Sequence, residues 1–433
     1  MQIRAHIKKI TGKKFLWNVS YVYIGALLNG VCLFLINIIL GRGLEKAEYA
    51  IFTLVTLVLS TVAEMSDFGL NAGLLRFGPY YISTNQTDKL KQLVKIIWQW
   101  RVTLSVILTV GGILFSQLIA RYIFGQPELT GKIAFSFLGV GGIIFLGFLS
   151  TYLQARQRFV YNATVQSLKG ILRLLGIVIL VVVGSKNIYA YVSVYVFVPW
   201  ALFLLNYHVL PEHFFSISLH EEVKQKMYSQ LKRFSFWLTI ASLTSIVASR
   251  IDQVMVSRML GLEQVAVYTV AYQFIQLYPI LWQSITSVLT PKLASVTTKA
   301  ELIALVRRTF KWIIPLIAVL CVLIYPSQYL IALLFSHKYD AAMPVYLVLS
   351  FSILFNVVSV PFSLMMTVFN KTNLTAFSGF LQLVANVILN TIFIPRYGVM
   401  GAAYTFSLSI LLSLMYNILC SWYLFKTKEL VIV

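Results

Sequence analysis

Long apolar segments alternate with short polar turns along the whole chain of 433 residues. A helix that crosses a bilayer needs about 20 predominantly apolar residues. By this criterion the pattern predicts an all-α, polytopic membrane protein with about twelve transmembrane helices and no extramembrane domain. The predicted spans are 16–40, 50–75, 97–119, 133–154, 164–184 and 188–208, followed by 235–257, 264–290, 309–330, 342–367, 374–394 and 399–424.

The second half of the chain repeats the first. The stretch from Gly41 to Pro79 begins with a polar turn and continues as a long apolar segment, and a similar stretch closes at Pro291. Internal repeats determine the architecture before any local pattern does. Because each half holds an even number of spans, the repeats are predicted to be parallel, two six-helix lobes related by an axis along the membrane normal.

The two predicted lobes are residues 1–210 and 235–433, and the segment 211–234 joins them. In that segment Val223, Met227 and Leu231 recur at helical spacing, with Lys and Glu on the other positions. This pattern favours an amphipathic helix that lies on the cytoplasmic surface of the membrane. We expect it to act as a linker, and partner binding is the alternative.

Composition supports lipid as the solvent of this protein. Hydrophobic residues make up 59% of the chain and charged residues only 11%, whereas charged residues are about a quarter of an average soluble domain. The three cysteines all fall in apolar segments without metal-binding or redox spacing. The sequence therefore predicts neither a metal nor a cofactor.

The net charge of +21 would point to nucleic acid in a soluble protein. In a membrane protein it indicates basic cytoplasmic loops instead. With the N-terminus inside, about two thirds of the 35 Lys and Arg residues fall on the cytoplasmic side. We therefore expect a multi-pass protein of the cell membrane with both termini in the cytoplasm and no nucleic-acid partner.

The fifth span carries four polar residues on one helical stripe, namely Asn162, Gln166, Lys169 and Arg173. Arg173 lies roughly 16 Å from Asn162 along the helix, which is close to the middle of a bilayer. Ionisable residues at that depth are costly and are usually functional. We interpret Arg173, Lys169 and Gln166 as substrate-binding residues that face an anion, and a structural ion pair of Arg173 is the alternative.

The second half of the chain carries a corresponding stripe in the eleventh span, made of the uncharged amides Gln382, Asn386 and Asn390. Gln382 and Asn386 are therefore predicted to bind substrate as well. The seventh span adds Arg250, a further candidate for the anion, and Asp252, which is either a coupling acid or an interfacial residue. Because they are two residues apart on a helix, Arg250 and Asp252 are poor partners for each other.

Two carboxylates in the second span, Glu64 and Asp67, are three residues apart and are predicted to share a helix face. When two carboxylates lie this close in a low dielectric, ionising both costs free energy because the like charges repel. The pair is therefore a candidate for proton or cation coupling. A structural pairing with Arg76 or Lys169 is the alternative. Arg101, which stands beside Trp98 and Trp100, is interpreted as an anchor in the inner aromatic belt.

Missing motifs exclude several classes of protein. The chain has no phosphate-binding P-loop, so direct coupling to ATP is not expected. It also lacks the H-E-x-x-H motif and the nucleophile elbow. No outer loop is large enough to hold the acidic site of an enzyme that consumes lipid-linked sugars. We therefore expect that the protein is not an enzyme.

Several motifs, taken in order, resemble those of the polysaccharide (O-antigen-type, Wzx-like) flippases. These proteins belong to a superfamily that also contains the MATE exporters and the lipid II flippases. About twelve helices fit the polysaccharide branch better than the lipid II flippases, which usually carry two more. The motifs are the G-L-E…Y turns that begin at Gly43 and Gly261, Asp67-Phe68-Gly69-Leu70, Leu118-Ile119-Ala120…Phe124-Gly125 with its echo Leu330-Ile331-Ala332…Phe335-Ser336, and Gly398-Val399-Met400-Gly401-Ala402-Ala403.

The resemblance implies a MATE-like two-lobed fold and a flippase that works by alternating access. Its substrate would be a polyprenyl-pyrophosphate-linked glycan, moved from the inner to the outer leaflet through a cationic cavity, by a protein that functions as a monomer. A guanidinium suits a pyrophosphate because its planar donors match the phosphate oxygens. The alternatives are a MATE-like ion-coupled exporter of small organic solutes and, from another class, a membrane glycosyltransferase or polymerase.

Overall fold

A computed structural model describes residues 2–211, 221–276, 299–369 and 371–427. Within these ranges the chain forms helices joined by short turns, and no β-strand is present. The helices of the first half are α1 Gln2–Gly43, α2 Lys46–Met65, α3 Leu70–Ser83, α4 Thr87–Leu114, α5 Thr130–Phe137, α6 Val140–Ala155, α7 Phe159–Val182 and α8 Ile188–Asn206. Those of the second half are α9 Glu221–Leu260, α10 Leu262–Ile275, α11 Lys299–Ser327, α12 Tyr329–Phe335, α13 Ala342–Val368, α14 Thr372–Tyr397 and α15 Val399–Thr427.

Nine helices in the described ranges are long and apolar enough to cross a membrane. A tenth span results if the bent pair formed by α5 and α6, with a 43° bend, is counted as one. This confirms the all-α membrane class. The number twelve stays a prediction, because most of the expected eighth span (264–290) lies outside the described residues and α9 is not among the nine helices.

The predicted span 50–75 is not one helix, and that part of the prediction is wrong. α2 ends at Met65, and a turn at 66–69 separates it from α3. Phe68 and Gly69 adopt φ of 43° and 69°, in the left-handed region that a continuing helix does not enter. The motif Asp67-Phe68-Gly69-Leu70 is therefore a helix break, and its glycine supplies the required backbone freedom.

The predicted linker 211–234 is described only in part. Residues 212–220 lie outside the described part of the chain, and from Glu221 onward the backbone continues without a break as α9 to Leu260. The segment 221–234 is therefore the beginning of the same helix that carries the predicted seventh span. The role of 211–234 as a linker on the cytoplasmic surface stays a prediction.

The internal repeat appears as matching backbone conformations. Gly125 and Ser336 occupy equivalent positions in the two copies, and both adopt left-handed backbone, with φ of 69° and 73°. Phe124 and Phe335, which precede them, are both buried, and a short 3-10 turn follows in each copy. The repeat inferred from sequence therefore corresponds to a repeated turn.

Two compact units make up the described structure. The first comprises 1–43, 51–122 and 127–242, and the second comprises 243–433 together with the short segments 44–50 and 123–126. Thus two turns from the first half of the sequence belong to the second unit. The expected lobes 1–210 and 235–433 stay a prediction.

In the first unit, α1 and α7 pack with almost no space between their backbones. A Cβ on Gly170 would lie 2.9 Å from the Cα of Asn29 in α1, and one on Gly25 would lie 2.8 Å from the Cα of Ala163 in α7. Real Cβ atoms do not tolerate such distances to backbone, so both glycines are required there. This close packing fixes the position of α7, the helix that carries the polar stripe.

Candidate functional site

The polar stripe on α7 forms a connected hydrogen-bond network with α6. Lys169 Nζ donates to Gln166 Oε1 at 2.7 Å, and Gln166 Nε2 donates to Ser150 Oγ at 3.1 Å. Ser150 in turn donates to Asn162 Oδ1 at 2.6 Å. Because each amide is held by a neighbour, Gln166 presents Lys169 in a defined position.

Arg173 lies one turn beyond Lys169 and is buried, with 8% of its surface exposed. Its guanidinium carbon lies 4.4 Å from the centroid of the Tyr195 ring in α8, a cation–π contact. The ring of Tyr195 is itself supported edge-on by Phe52 of α2, at 5.4 Å. Among the residues that the structure describes, no carboxylate forms a salt bridge with Arg173, and Arg173 Nε has no hydrogen-bond partner there.

Glu64 is exposed in the last turn of α2, and its charge acts on Lys169. Lys169 also lies within electrostatic range of Arg173. The first unit therefore holds two cations and one carboxylate in one neighbourhood. Both assignments of Glu64, coupling acid and structural partner, stay predictions.

Asp67 belongs to a different arrangement. Its Oδ1 accepts a hydrogen bond from Arg101 Nη2 at 2.5 Å and another from the backbone N–H of Asn71 at 3.2 Å. Arg101 also donates to Asn71 Oδ1 at 2.8 Å. Asp67 thus caps the start of α3 and pairs with α4. Because α2 ends at Met65, the helical register that would place Asp67 on one face with Glu64 does not extend to it.

The interpretation of Arg101 as a belt anchor is wrong. The residue is 2% exposed and forms the ion pair just described. Sequence reasoning missed it because two neighbouring tryptophans suggested a membrane interface. The structure instead places Trp98, three residues earlier on the same helix, in the aromatic core against Phe145 at 4.9 Å.

The second unit contains a buried carboxylate held by amides. Asp252 in α9 is 3% exposed, and its Oδ1 accepts hydrogen bonds from Asn386 Nδ2 at 3.0 Å and Asn390 Nδ2 at 2.7 Å. Asn390 Nδ2 also lies 2.8 Å from Asn386 Oδ1, and Tyr268 is a further polar neighbour of the carboxylate. Asp252 and Asn386, which sequence analysis assigned to separate roles, therefore form one cluster, and Asp252 is buried within its unit.

The remaining candidates of the second unit are half-buried. Gln382 lies one turn before Asn386 on α14. Arg250 lies on α9 and interacts electrostatically with Tyr272. Neither is part of the Asp252 hydrogen-bond cluster. In the described ranges, no group of three or more His, Cys, Asp or Glu residues has the geometry of a metal site.

Comparison with known proteins identifies the family of this chain and proteins that share its fold. A family model described as "Polysaccharide biosynthesis protein" matches residues 13–297, about two thirds of the chain. The putative O-antigen transporter of Shigella flexneri is 23% identical over 397 residues, which cover 89% of this chain and 93% of that protein.

Solved structures of transporters have the same fold. An inward-facing MATE family multidrug resistance transporter of the MOP superfamily superimposes with a TM-score of 0.76 at 12% identity, covering 93% of this chain and 96% of that one. The lipid II flippase MurJ in an inward closed conformation gives a TM-score of 0.72 at 15% identity, covering 92% and 87%. The MATE-like fold expected from the sequence is therefore confirmed.

Proposed function

The chain belongs to the polysaccharide biosynthesis protein family, and from this premise we propose that it is a flippase for a polyprenyl-pyrophosphate-linked oligosaccharide. It is a membrane transport protein, and the expectation that it is not an enzyme is confirmed by the family and the transporter relative. The proposed reaction moves the glycan from the inner to the outer leaflet by alternating access, with no covalent step.

The observation that supports a pyrophosphate substrate is Arg173. A structural arginine in a membrane is normally held by a carboxylate, and the described residues supply none. Tyr195 instead covers the guanidinium with its ring, a contact that leaves the positive charge without a counter-ion. We propose that the pyrophosphate replaces this contact, because a bidentate guanidinium–phosphate pair is stronger than a cation–π contact.

Lys169 provides the second cation of the proposed site. Its ammonium group is already oriented by Gln166. Binding of the substrate therefore costs little additional side-chain entropy. Gln382 and Arg250, half-buried in the second unit, stay predicted substrate-binding residues. Asn386 is assigned a different task, because its amide already holds Asp252.

Among the acids, Glu64 is the proposed coupling residue. Its charge acts on Lys169 and it is exposed, so a proton or cation has access to it. Asp67 and Asp252 are each held by donors within their own units and are proposed to be structural. Protonation of Glu64 would strengthen the positive field around Lys169 and thereby couple an ion gradient to anion binding.

The deciding experiment is transport of a labelled polyprenyl-pyrophosphoryl oligosaccharide in liposomes, scored by its appearance in the opposite leaflet. Arg173→Ala should reduce the rate at least about tenfold, and Arg173→Lys should recover only part of it because lysine lacks the planar fork. Arg121→Ala is the matched control, since Arg121 also stacks on a tyrosine, Tyr122, at 5.8 Å but is exposed.

Three outcomes would contradict the proposal. Wild-type transport by well-folded Arg173→Ala would remove Arg173 from the site. A loss of folded protein that a neutral substitution at an acidic residue restores would indicate a structural ion pair instead. Movement of an organic cation, but not of the lipid-linked glycan, would identify an exporter.

We also propose that the protein lies in the cell membrane with both termini in the cytoplasm and functions as a monomer. The orientation rests on the excess of basic residues on one side. In a cysteine-free background, a cysteine at Lys89 should be labelled only from the cytoplasmic side and one at Lys186 only from outside. The reverse pattern would invert the topology, and loss of activity on dilution to single protein molecules per vesicle would refute the monomer.

A further inference from the structure

A cavity of about 510 Å³ opens in the first unit, at the beginning of α7. It lies where α4 begins, where α6 ends and α7 begins, and beside the segment that follows α8. The proposed orientation places this end in the cytoplasm, at the level of the inner leaflet. No part of the proposed transport mechanism uses it.

The cavity is lined by basic and aromatic side chains. Lys91, Arg156, Arg158 and His208 supply the nitrogen atoms, and Tyr152 and Tyr161 supply two aromatic rings. No aspartate or glutamate is among the described residues that line it. Asp88, which precedes Lys91 by one helical turn, does not line the cavity. The described lining of the cavity therefore carries basic groups and no acidic ones.

Two of the lining groups are held in place by the protein. Arg156 Nη1 lies 3.3 Å from the hydroxyl of Tyr152, and the guanidinium also lies over that ring at 5.9 Å. The hydroxyl of Tyr161 donates to Asn206 Oδ1 at 2.5 Å. Arg156 keeps further N–H donors for an anion and, being oriented by Tyr152, loses little freedom when an anion binds.

The start of α7 adds a further positive contribution. Arg158 is the N-cap residue of this 24-residue helix and makes no side-chain cap hydrogen bond. The first backbone N–H groups of a helix have no partner within the helix, and the helix dipole is positive at this end. Phosphate groups bind at such positions with the help of nearby basic side chains.

Basic residues are expected on the cytoplasmic side of any membrane protein, and these four alone would not indicate a site. Their arrangement around a concave space with a helix N-terminus and no lining carboxylate is what distinguishes them. We propose that this cavity binds the phosphate or pyrophosphate group of a lipid in the inner leaflet. A lipid is favoured over a soluble phosphate because the cavity lies at the ends of three helices of membrane-spanning length, α4, α7 and α8, and naming the leaflet rests on the proposed orientation.

The test uses the full chain in nanodiscs of a zwitterionic lipid, with Arg173→Ala as background so that the proposed transport site does not contribute. Binding of farnesyl diphosphate and of inorganic pyrophosphate is measured by calorimetry. Lys91→Gln and Arg158→Gln should each weaken farnesyl diphosphate binding about tenfold. Lys89→Gln is the matched control, two residues from Lys91 on α4 but outside the cavity, and should change the affinity less than about twofold.

Each other outcome overturns a defined part of the proposal. Equal weakening by Lys89→Gln would mean general attraction to a basic surface and would remove the site. Equal affinities for inorganic pyrophosphate and farnesyl diphosphate would identify a soluble phosphate as the ligand and refute a lipid. Absence of saturable binding would refute the site while leaving the Arg173 proposal untouched, because that proposal is tested by transport.

Discussion

The ion pair between Arg101 and Asp67 predicts an asymmetric response to mutation. Asp67→Ala leaves a guanidinium that is 2% exposed without its counter-ion, and arginine does not release its proton to escape the cost. Arg101→Met leaves a carboxylate whose side chain is 30% exposed, so water solvates it in place of the lost guanidinium. Loss of the carboxylate should therefore destabilise the protein more than loss of the arginine.

The expected magnitudes follow from the contacts. Removing one partner of a buried pair costs about 3–5 kcal/mol. Asp67→Ala should fall near the lower end, about 3 kcal/mol, because Arg101 keeps its 2.8 Å hydrogen bond to Asn71. Arg101→Met should cost about 1–2 kcal/mol, the penalty for a polar group that loses its partner. In the double variant the two costs should not add, with a coupling energy of about 1–2 kcal/mol.

The assay is unfolding of purified protein in detergent, followed by tryptophan fluorescence against temperature and denaturant, for the wild type, both single variants and the double variant. Arg76→Met, an exposed arginine of α3, is the control for loss of a positive charge. Equal destabilisation by the two single changes, or strict additivity in the double variant, would refute this account of the pair.

Three further predictions follow from other contacts. Asn390→Leu should destabilise the protein by about 1–3 kcal/mol because it removes one of the two amide donors to the buried carboxylate of Asp252, and Asp252→Asn in the same chain should restore most of the loss in a thermal melt. Gly170→Ala should destabilise by about 1–3 kcal/mol, because a Cβ there meets backbone, whereas Gly147→Ala, with nothing within 4 Å, should be neutral or stabilising in the same melt. Glu64→Gln should abolish any dependence of flipping on a proton or cation gradient, and an unchanged dependence in liposomes would exclude Glu64 as the coupling residue.

The sequence by itself determined the class and much of the architecture. Its apolar segments are long enough to span a bilayer, and the requirement to satisfy every backbone group in lipid leaves helices as the solution for such segments. The repeat was also readable, because the motif Phe124-Gly125 and its echo Phe335-Ser336 reflect the same turn. The stripe on α7 was predictable because helical periodicity alone puts Asn162, Gln166 and Lys169 on one face.

Tertiary structure decided which charged groups meet. The pairing of Asp67 with Arg101 depends on a helix break at Phe68-Gly69, and hydropathy does not register such a break, since both residues are compatible with an apolar segment. Likewise, the contact of Asp252 with Asn390 joins helices more than a hundred residues apart. Periodicity orders residues along one helix but carries no information about the rotation of its neighbour, so only the packed structure assigns these partners.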